Sequence, residues 1–343
     1  MALHFSADSE GSARQQLLQL VPTDATVVIF LDAEEFRQSP FLAKLYSWAP
    51  HPSEDSEYSQ FVVDTGFSYE RDLRRIVLAI SSRGPATDQL AIADGNFDRK
   101  KIEAYLARNG QPVQQGKWKI FRVKSKPRDK TVSIAFLSDH RIALVDSADF
   151  AANFAAANKH EGQTEWNARF DRLAGSPLFA VIRQDPTLQN ALSSAARGGL
   201  RSPQLSSLLE RLQWASIAGK PDGDSLRVIA EGESSSEPIA SQLQDFLQGV
   251  LLLAQNGLND PKLRQQLNPE EREAYLELLQ SAEIQKVNRG EWKTIRLVFS
   301  ITPKFLDVAK VPYLGIRSTE KPEPPDNSQN NSRKPRSKSA SRN

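Results

Sequence analysis

Two segments of this 343-residue chain read as copies of one another, and that constrains the fold more than any single motif does. Leu20–Asp32 (LVPTDATVVIFLD) aligns without gaps with Leu173–Asp185 (LAGSPLFAVIRQD). Downstream of each copy, an apolar run ends in an acid followed by glycine, at Asp94-Gly95 and at Glu231-Gly232. Further on, Gly116–Val123 (GKWKIFRV) matches Gly290–Leu297 (GEWKTIRL) at four of eight positions, one of them a tryptophan in a chain with only five. The order is the same in both halves. Such self-similarity implies one supersecondary unit used twice. The gap from acid-glycine to the tryptophan motif is 21 residues in the first copy and 58 in the second, so the second copy carries an insertion of 37.

Periodicity and punctuation predict the contents of each unit. Thr26–Leu31 reads as a buried strand, being a run of β-branched and apolar residues. Ser39-Pro40 reads as a helix start, with serine as cap and proline in the first turn. Ile76–Ile80 and Gln89–Ala93 read as a hairpin. Asp98 caps a helix that Asn109-Gly110 ends. Trp118–Val123, Thr131–Leu137 and Arg141–Val145 are short strands, and Asp149–Ala157 is helical. Lys159–Thr164 is polar and reads as a boundary. In the second half, Leu178–Ile182 is a strand, and Leu188–Ala196 and Gln204–Leu212 are helical. Trp214–Ala218 and Leu226–Ala230 make a hairpin. A long helix carries Ile239, Leu243, Phe246, Leu247, Val250 and Ala254 on one stripe. Asn268-Pro269-Glu270-Glu271 is a capping box. Glu283–Asn288 and Thr294–Ile301 close the unit.

This order predicts an α+β fold of two tandem, diverged ferredoxin-like (split βαβ) units, with mostly antiparallel sheets and helices on one face. The units span 14–158 and 165–311, the second with its helical insertion near 255–282. The sequence leaves open whether the two sheets pack on each other or join edge to edge. Residues 318–343 carry six basic and three acidic groups and no large apolar side chain, which predicts a disordered basic tail.

Composition excludes several function classes. The chain has no cysteine, so disulfides, thiolate metal sites and a cysteine nucleophile are excluded. A net charge of +2 supplies no global field for a polyanion. No apolar run approaches the ~20 residues of a membrane span. As written the chain reads as cytoplasmic, or as exported if a signal precedes it. His4, His51, His140 and His160 have no partner at metal-ligand spacing, so no metal site and no cofactor is predicted. There is no nucleophile elbow, P-loop or dinucleotide glycine pattern.

Two sets of residues remain as candidates. Asp32 and Asp185 follow the first strand of each copy, and Asp94 and Glu231 end the hairpin strands. Facing one cleft, such acids would share a proton or a metal and support a hydrolase or metal-dependent reaction. The structural alternative is that they cap helices and close turns. The second set is the basic stretch Lys117–Lys130, with Lys117, Lys119, Arg122 and Lys124 interleaved with Trp118. It suits stacking on bases and holding phosphates, with the basic tail adding affinity for nucleic acid or another polyanion. The structural alternative is a lysine-guarded sheet edge.

The residues Leu20-Val21-Pro22-Thr23-Asp24-Ala25, Ser39-Pro40-Phe41 and Thr65-Gly66-Phe67 with Asp72-Leu73 resemble an uncharacterised bacterial family with an LVP-x-DA start. The resemblance covers mainly residues 20–150 and implies no activity. Relatives of that kind often look exported or lipid-anchored, whereas this chain shows neither a signal peptide nor a lipid-acceptor cysteine. With no assembled catalytic constellation, the leading expectation is a non-enzymatic binding or interaction protein with an unknown protein or polyanion partner.

Overall fold

A strand whose successive residues are all apolar has two faces to bury, and the segment ATVVIFLD is built that way. In the computed structural model it becomes the central strand of a 12-stranded sheet. The structure describes residues 7–46, 56–83, 86–125, 130–147, 150, 163–184, 203–261 and 267–308.

Helix α1 (Ala7–Leu18) leads into β1 (Ala25–Asp32). Four short helices follow: α2 (Ala33–Gln38), α3 (Pro40–Tyr46), α4 (Ser56–Thr65) and α5 (Tyr69–Asp72). They hand the chain to β2 (Leu73–Arg83), which turns back as β3 (Ala86–Gly95). Helix α6 (Arg99–Asn109) precedes β4 (Gln111–Gln115), β5 (Trp118–Ser125), β6 (Lys130–Ser138) and β7 (Arg141–Val145). Helix α7 (Gln163–Arg172) opens the second half and leads to β8 (Leu178–Arg183). Helix α8 (Pro203–Leu209) comes before the hairpin β9 (Trp214–Asp222) and β10 (Ser225–Ser234). The long α9 (Glu237–Gly257) and α10 (Pro269–Gln280) separate it from the hairpin β11 (Glu283–Arg289) and β12 (Trp292–Ile301), and α11 (Pro303–Val308) follows. All these elements lie in one compact unit, Met1–Val308. The expected helices at Asp149–Ala157 (apart from Phe150) and Leu188–Ala196, and the tail 318–343, lie outside the described residues.

The sheet order is β11-β12-β10-β9-β8-β1-β2-β3-β7-β6-β5-β4. The halves therefore join edge to edge through β1 and β8. That seam is antiparallel, with Val27 opposite Ile182, Val28 opposite Val181 and Ile29 opposite Ala180. Val28 and Val181 hold the same position in the two aligned segments, so those segments meet about a matching residue. Phe30 and Phe179 stack across the seam at 5.0 Å.

The expected split βαβ order places a third strand between the first two, whereas here β1 pairs directly with β2 and β2 with β3, both antiparallel. The reason is visible at β2. The chain leaves β1 at Asp32 and re-enters the sheet with Arg75 opposite Asp32, so it returns at the end it left and must run back. β1, β2 and β3 are thus a meander, as are β8, β9 and β10.

Helices cover both faces, not one. Neighbouring residues on a strand point to opposite faces. Ile92, Ile120, Ala135 and Ala143 belong to the largest core cluster, with Leu17 and Leu18 of α1 and Trp166 and Phe170 of α7. Their neighbours Ala93, Phe121, Phe136 and Ile142 pack on Ile102 and Leu106 of α6 instead. Further along that second face, Leu226 and Val228 meet Phe41 and Leu42 of α3 and Leu306 of α11. Ile295 meets Ala240 and Leu243 of α9.

Candidate functional site

The end of β1 is one wall of a cleft of about 430 Å³. Asp32 does two jobs there. One oxygen accepts the backbone N–H of Glu35 at 3.0 Å, capping α2. The other accepts Nε of Arg75, its cross-strand partner, at 2.7 Å. Across the cleft, Arg14 of α1 donates to the backbone carbonyls of Leu173 at 2.9 Å and Ser176 at 3.3 Å. Its guanidinium also lies over Phe30 and Phe179, 4.9 and 5.0 Å from the ring centroids. Burial pushes the Arg14 pKa down, against the opposing pull of Glu35 and Asp32. Phe170 and Asp171 of α7, with Glu35 and Arg75, complete the main lining.

The other sequence-selected acids lie elsewhere. Asp94 stands in the same row across the sheet as Asp32, because Arg75 is opposite both of them in register. Arg141 continues the row and takes Asp94 in a fork, Nε at 2.5 Å and Nη2 at 2.8 Å. The row Asp32–Arg75–Asp94–Arg141 alternates in sign, so a guanidinium separates the two carboxylates. Asp185 lies outside the described residues. Among the described residues, no group of three or more His, Asp or Glu is placed to hold a metal.

Glu231 belongs to a separate charged network in the second half. Its carboxylate accepts Nη2 and Nη1 of Arg289 at 2.9 and 3.0 Å and Nε of Arg296 at 2.7 Å. Nε of Arg172 is 3.8 Å from it. Burial raises the Glu231 pKa, but the bonds and charges of Arg289 and Arg296 outweigh that and hold it below the usual carboxylate value. Two residues along, Glu233 accepts Nη2 of Arg169 at 2.5 Å and Nη2 of Arg172 at close range. Arg169 is stacked on Trp214, its guanidinium carbon 3.7 Å from the ring centroid, and the Trp292 ring centroid is 5.3 Å from the same carbon.

Sequence reasoning missed these arginines because it missed α7. The signal is present: Trp166, Phe170 and Leu173 recur at helical spacing, and Gly175 follows with φ 78°. All three are buried. The polar residues between them disguise the stripe.

The basic hairpin is divided by its own pleat. Trp118, Ile120, Arg122 and Lys124 point to one face, and Lys119, Phe121 and Val123 to the other. Trp118 packs against the main core cluster and meets Phe150 edge-on at 6.3 Å. Lys119 pairs with Glu103 of α6 at 2.6 Å. Lys117 is exposed in the turn and lies over the Trp118 ring at 4.7 Å. β5 is not the sheet edge; β4 is, and its Pro112 lacks the N–H that another strand would use.

The sequence matches no protein-family model and no curated protein. Among solved structures it is similar to crystal forms I, III and IV of TP0453. Form I has 10% identity and a TM-score of 0.44, covering 84% of this chain and 94% of that one. Form III has 10% identity and a TM-score of 0.43, covering 84% and 95%. Form IV has 10% identity and a TM-score of 0.42, covering 84% and 94%. Among the described residues, no helix is long and apolar enough to cross a membrane.

Proposed function

We propose that this chain is a non-enzymatic binding protein, made by duplication of one antiparallel α+β unit, whose cleft takes a small polar ligand bearing a cationic group. The duplication reading draws on the seam and on the matching meanders either side of it, with 14–158 and 165–311 as the two copies. The ligand reading is carried by one observation, the charge of the cleft. Three carboxylates line it, Asp32, Glu35 and Asp171, against two guanidiniums. Those cations are committed to the protein: Arg14 to two carbonyls and two rings, Arg75 to Asp32. By count the lining carries one more negative group than positive, and Phe170 offers an apolar wall beside it.

The acids favour binding over shared acid–base chemistry, because Asp32 and Asp94 are each held by a guanidinium and Arg75 stands between them in the row. The polyanion reading draws less support, since the described part of the basic hairpin presents its charges on two faces.

Thermal melts of the full chain with lysine, arginine, glycine betaine and a short diamine test the proposal, with sodium chloride at equal ionic strength as control. A ligand at a hundred times its Kd raises stability by about 2.7 kcal/mol. The expected result is a saturable rise with at least one of the four, abolished by Ala174→Trp, which fills the lining from an exposed position. No rise with any of them, or an equal rise in the variant, sinks the proposal.

A further inference from the structure

The charged network beneath α7 carries more cation than its carboxylates neutralise. Arg169, Arg172, Arg289 and Arg296 surround Glu231 and Glu233, four positive groups against two negative ones. The carboxylate oxygens are saturated with guanidinium contacts, and donors are left over. Nε of Arg169 and Nε of Arg172 are buried without a hydrogen-bond partner. The same is true of Trp166 Nε1 and Thr294 Oγ1 close by, Trp166 meeting Trp214 at 5.0 Å and Thr294 standing opposite Glu233. Buried donors without acceptors are costly and rare in folded chains. Arg296 binds Glu231 through Nε only, which leaves its two terminal nitrogens for another acceptor.

The surplus also reaches solvent. Both glutamate side chains are 2% exposed, whereas Arg172 is 22%, Arg289 19% and Arg296 33% exposed. These three converge on one carboxylate, so their guanidiniums lie close together at the open side of the network. Planar forks gathered at one point match the oxygens of phosphate, singly or in pairs.

We propose that Arg172, Arg289 and Arg296 form a binding site for a dianionic phosphate group, as the free ion or as a phosphomonoester. The surplus of two positive charges equals the charge of that group. The site is independent of the cleft, because none of these arginines lines it. Nothing matching it occurs along the Asp32–Arg75–Asp94–Arg141 row, where acids and arginines are equal in number.

Calorimetric titration of the full chain with sodium phosphate, and separately with glycerol phosphate, tests this, with sodium chloride at matched ionic strength as reference. Single-site saturation is expected, weakened about tenfold or more in Arg296→Gln and in Arg172→Gln, each of which removes a charge-assisted donor. Both variants should fold, since Glu231 keeps its Arg289 fork and Glu233 keeps Arg169; far-ultraviolet circular dichroism checks that. Ala174→Trp should leave phosphate binding unchanged, which separates this site from the cleft. Binding of inorganic phosphate alone assigns the site to the free ion, and binding of both assigns it to the exposed group of a monoester. No saturation with either probe, or equal affinity in the folded arginine variants, overturns the proposal. Phosphorus NMR line-broadening on the unmodified chain gives a reading independent of any variant.

Discussion

Removing Glu231 should unfasten the second half more than its single charge suggests. The side chain is 2% exposed and answers to three guanidiniums. Taking one partner out of a buried ion pair costs about 3–5 kcal/mol, chiefly because the remaining charges are left uncompensated. Here the arginines are one-fifth to one-third exposed and can turn partly to water. That places Glu231→Ala at the low end, at about 3 kcal/mol. For a chain of this size the melting temperature should fall by on the order of 4 °C. Urea denaturation at neutral pH measures the difference directly. A pH series adds a second check. The folded pKa of Glu231 lies below its unfolded value of about 4.3. Its contribution is thus complete above that unfolded value and is lost as pH falls through the folded one. The natural chain and the variant should converge in acid. A loss below about 1 kcal/mol at neutral pH would mean the arginines are satisfied without Glu231, and the network would not be the unit described here.

Other expectations are simpler. Phe30 is fully buried at the seam and stacked on Phe179, so Phe30→Ala should cost about 3–5 kcal/mol in urea unfolding. Gly95→Ala should destabilise by about 1–3 kcal/mol, because a Cβ there sits 2.7 Å from the Asp72 carbonyl, which is backbone and cannot swing away. Gly249→Ala, inside α9 with nothing within 4 Å, should stabilise by about 0.5–1 kcal/mol. Asn268→Ala should lose about 1 kcal/mol with its half of the capping box. Thermal melts that rank these four in any other order count against the packing described.

What the sequence made legible is local. The Asp98 cap accepts the Lys101 N–H at 3.1 Å, and the Asn268 box forms in both directions. The G-x-W-K motifs are hairpin turns, with Gly116 at φ 59° and Gly290 at φ 64°, where a side chain would be strained. What stayed hidden depends on register. The acid-glycine pairs look equivalent in sequence but are not so in the sheet. Asp94 shares a row with Asp32, whereas Glu231 lies opposite Ser216, which lies opposite Val181, the counterpart of Val28. Four residues of offset, about 13 Å along a strand, separate the two positions. Even the glycines answer to different neighbours: a Cβ on Gly95 meets the Asp72 backbone, and one on Gly232 meets a Leu212 methyl at 2.7 Å. Strand pairing decides such matters, and composition does not encode it.

That offset bears on where function can reside. The first half lays its buried charge along one row in alternating sign, each acid facing an arginine, and the row closes at neutrality. The second half, with Glu231 displaced, gathers acids from one strand and arginines from α7, β11 and β12 into a cluster that is short of anion by two. Self-contained charge is what a fold needs for stability, since an unpaired buried ion is costly. A surplus kept at partial exposure is costly without a ligand and favourable with one. Each half holds a three-stranded meander and the two meet at a matching valine, yet among the described residues the cluster short of anion lies in the second. The proposed anion site therefore lies in the half whose buried charge does not balance, and the helix that brings in two of the cluster's four arginines is the one whose polar residues concealed it.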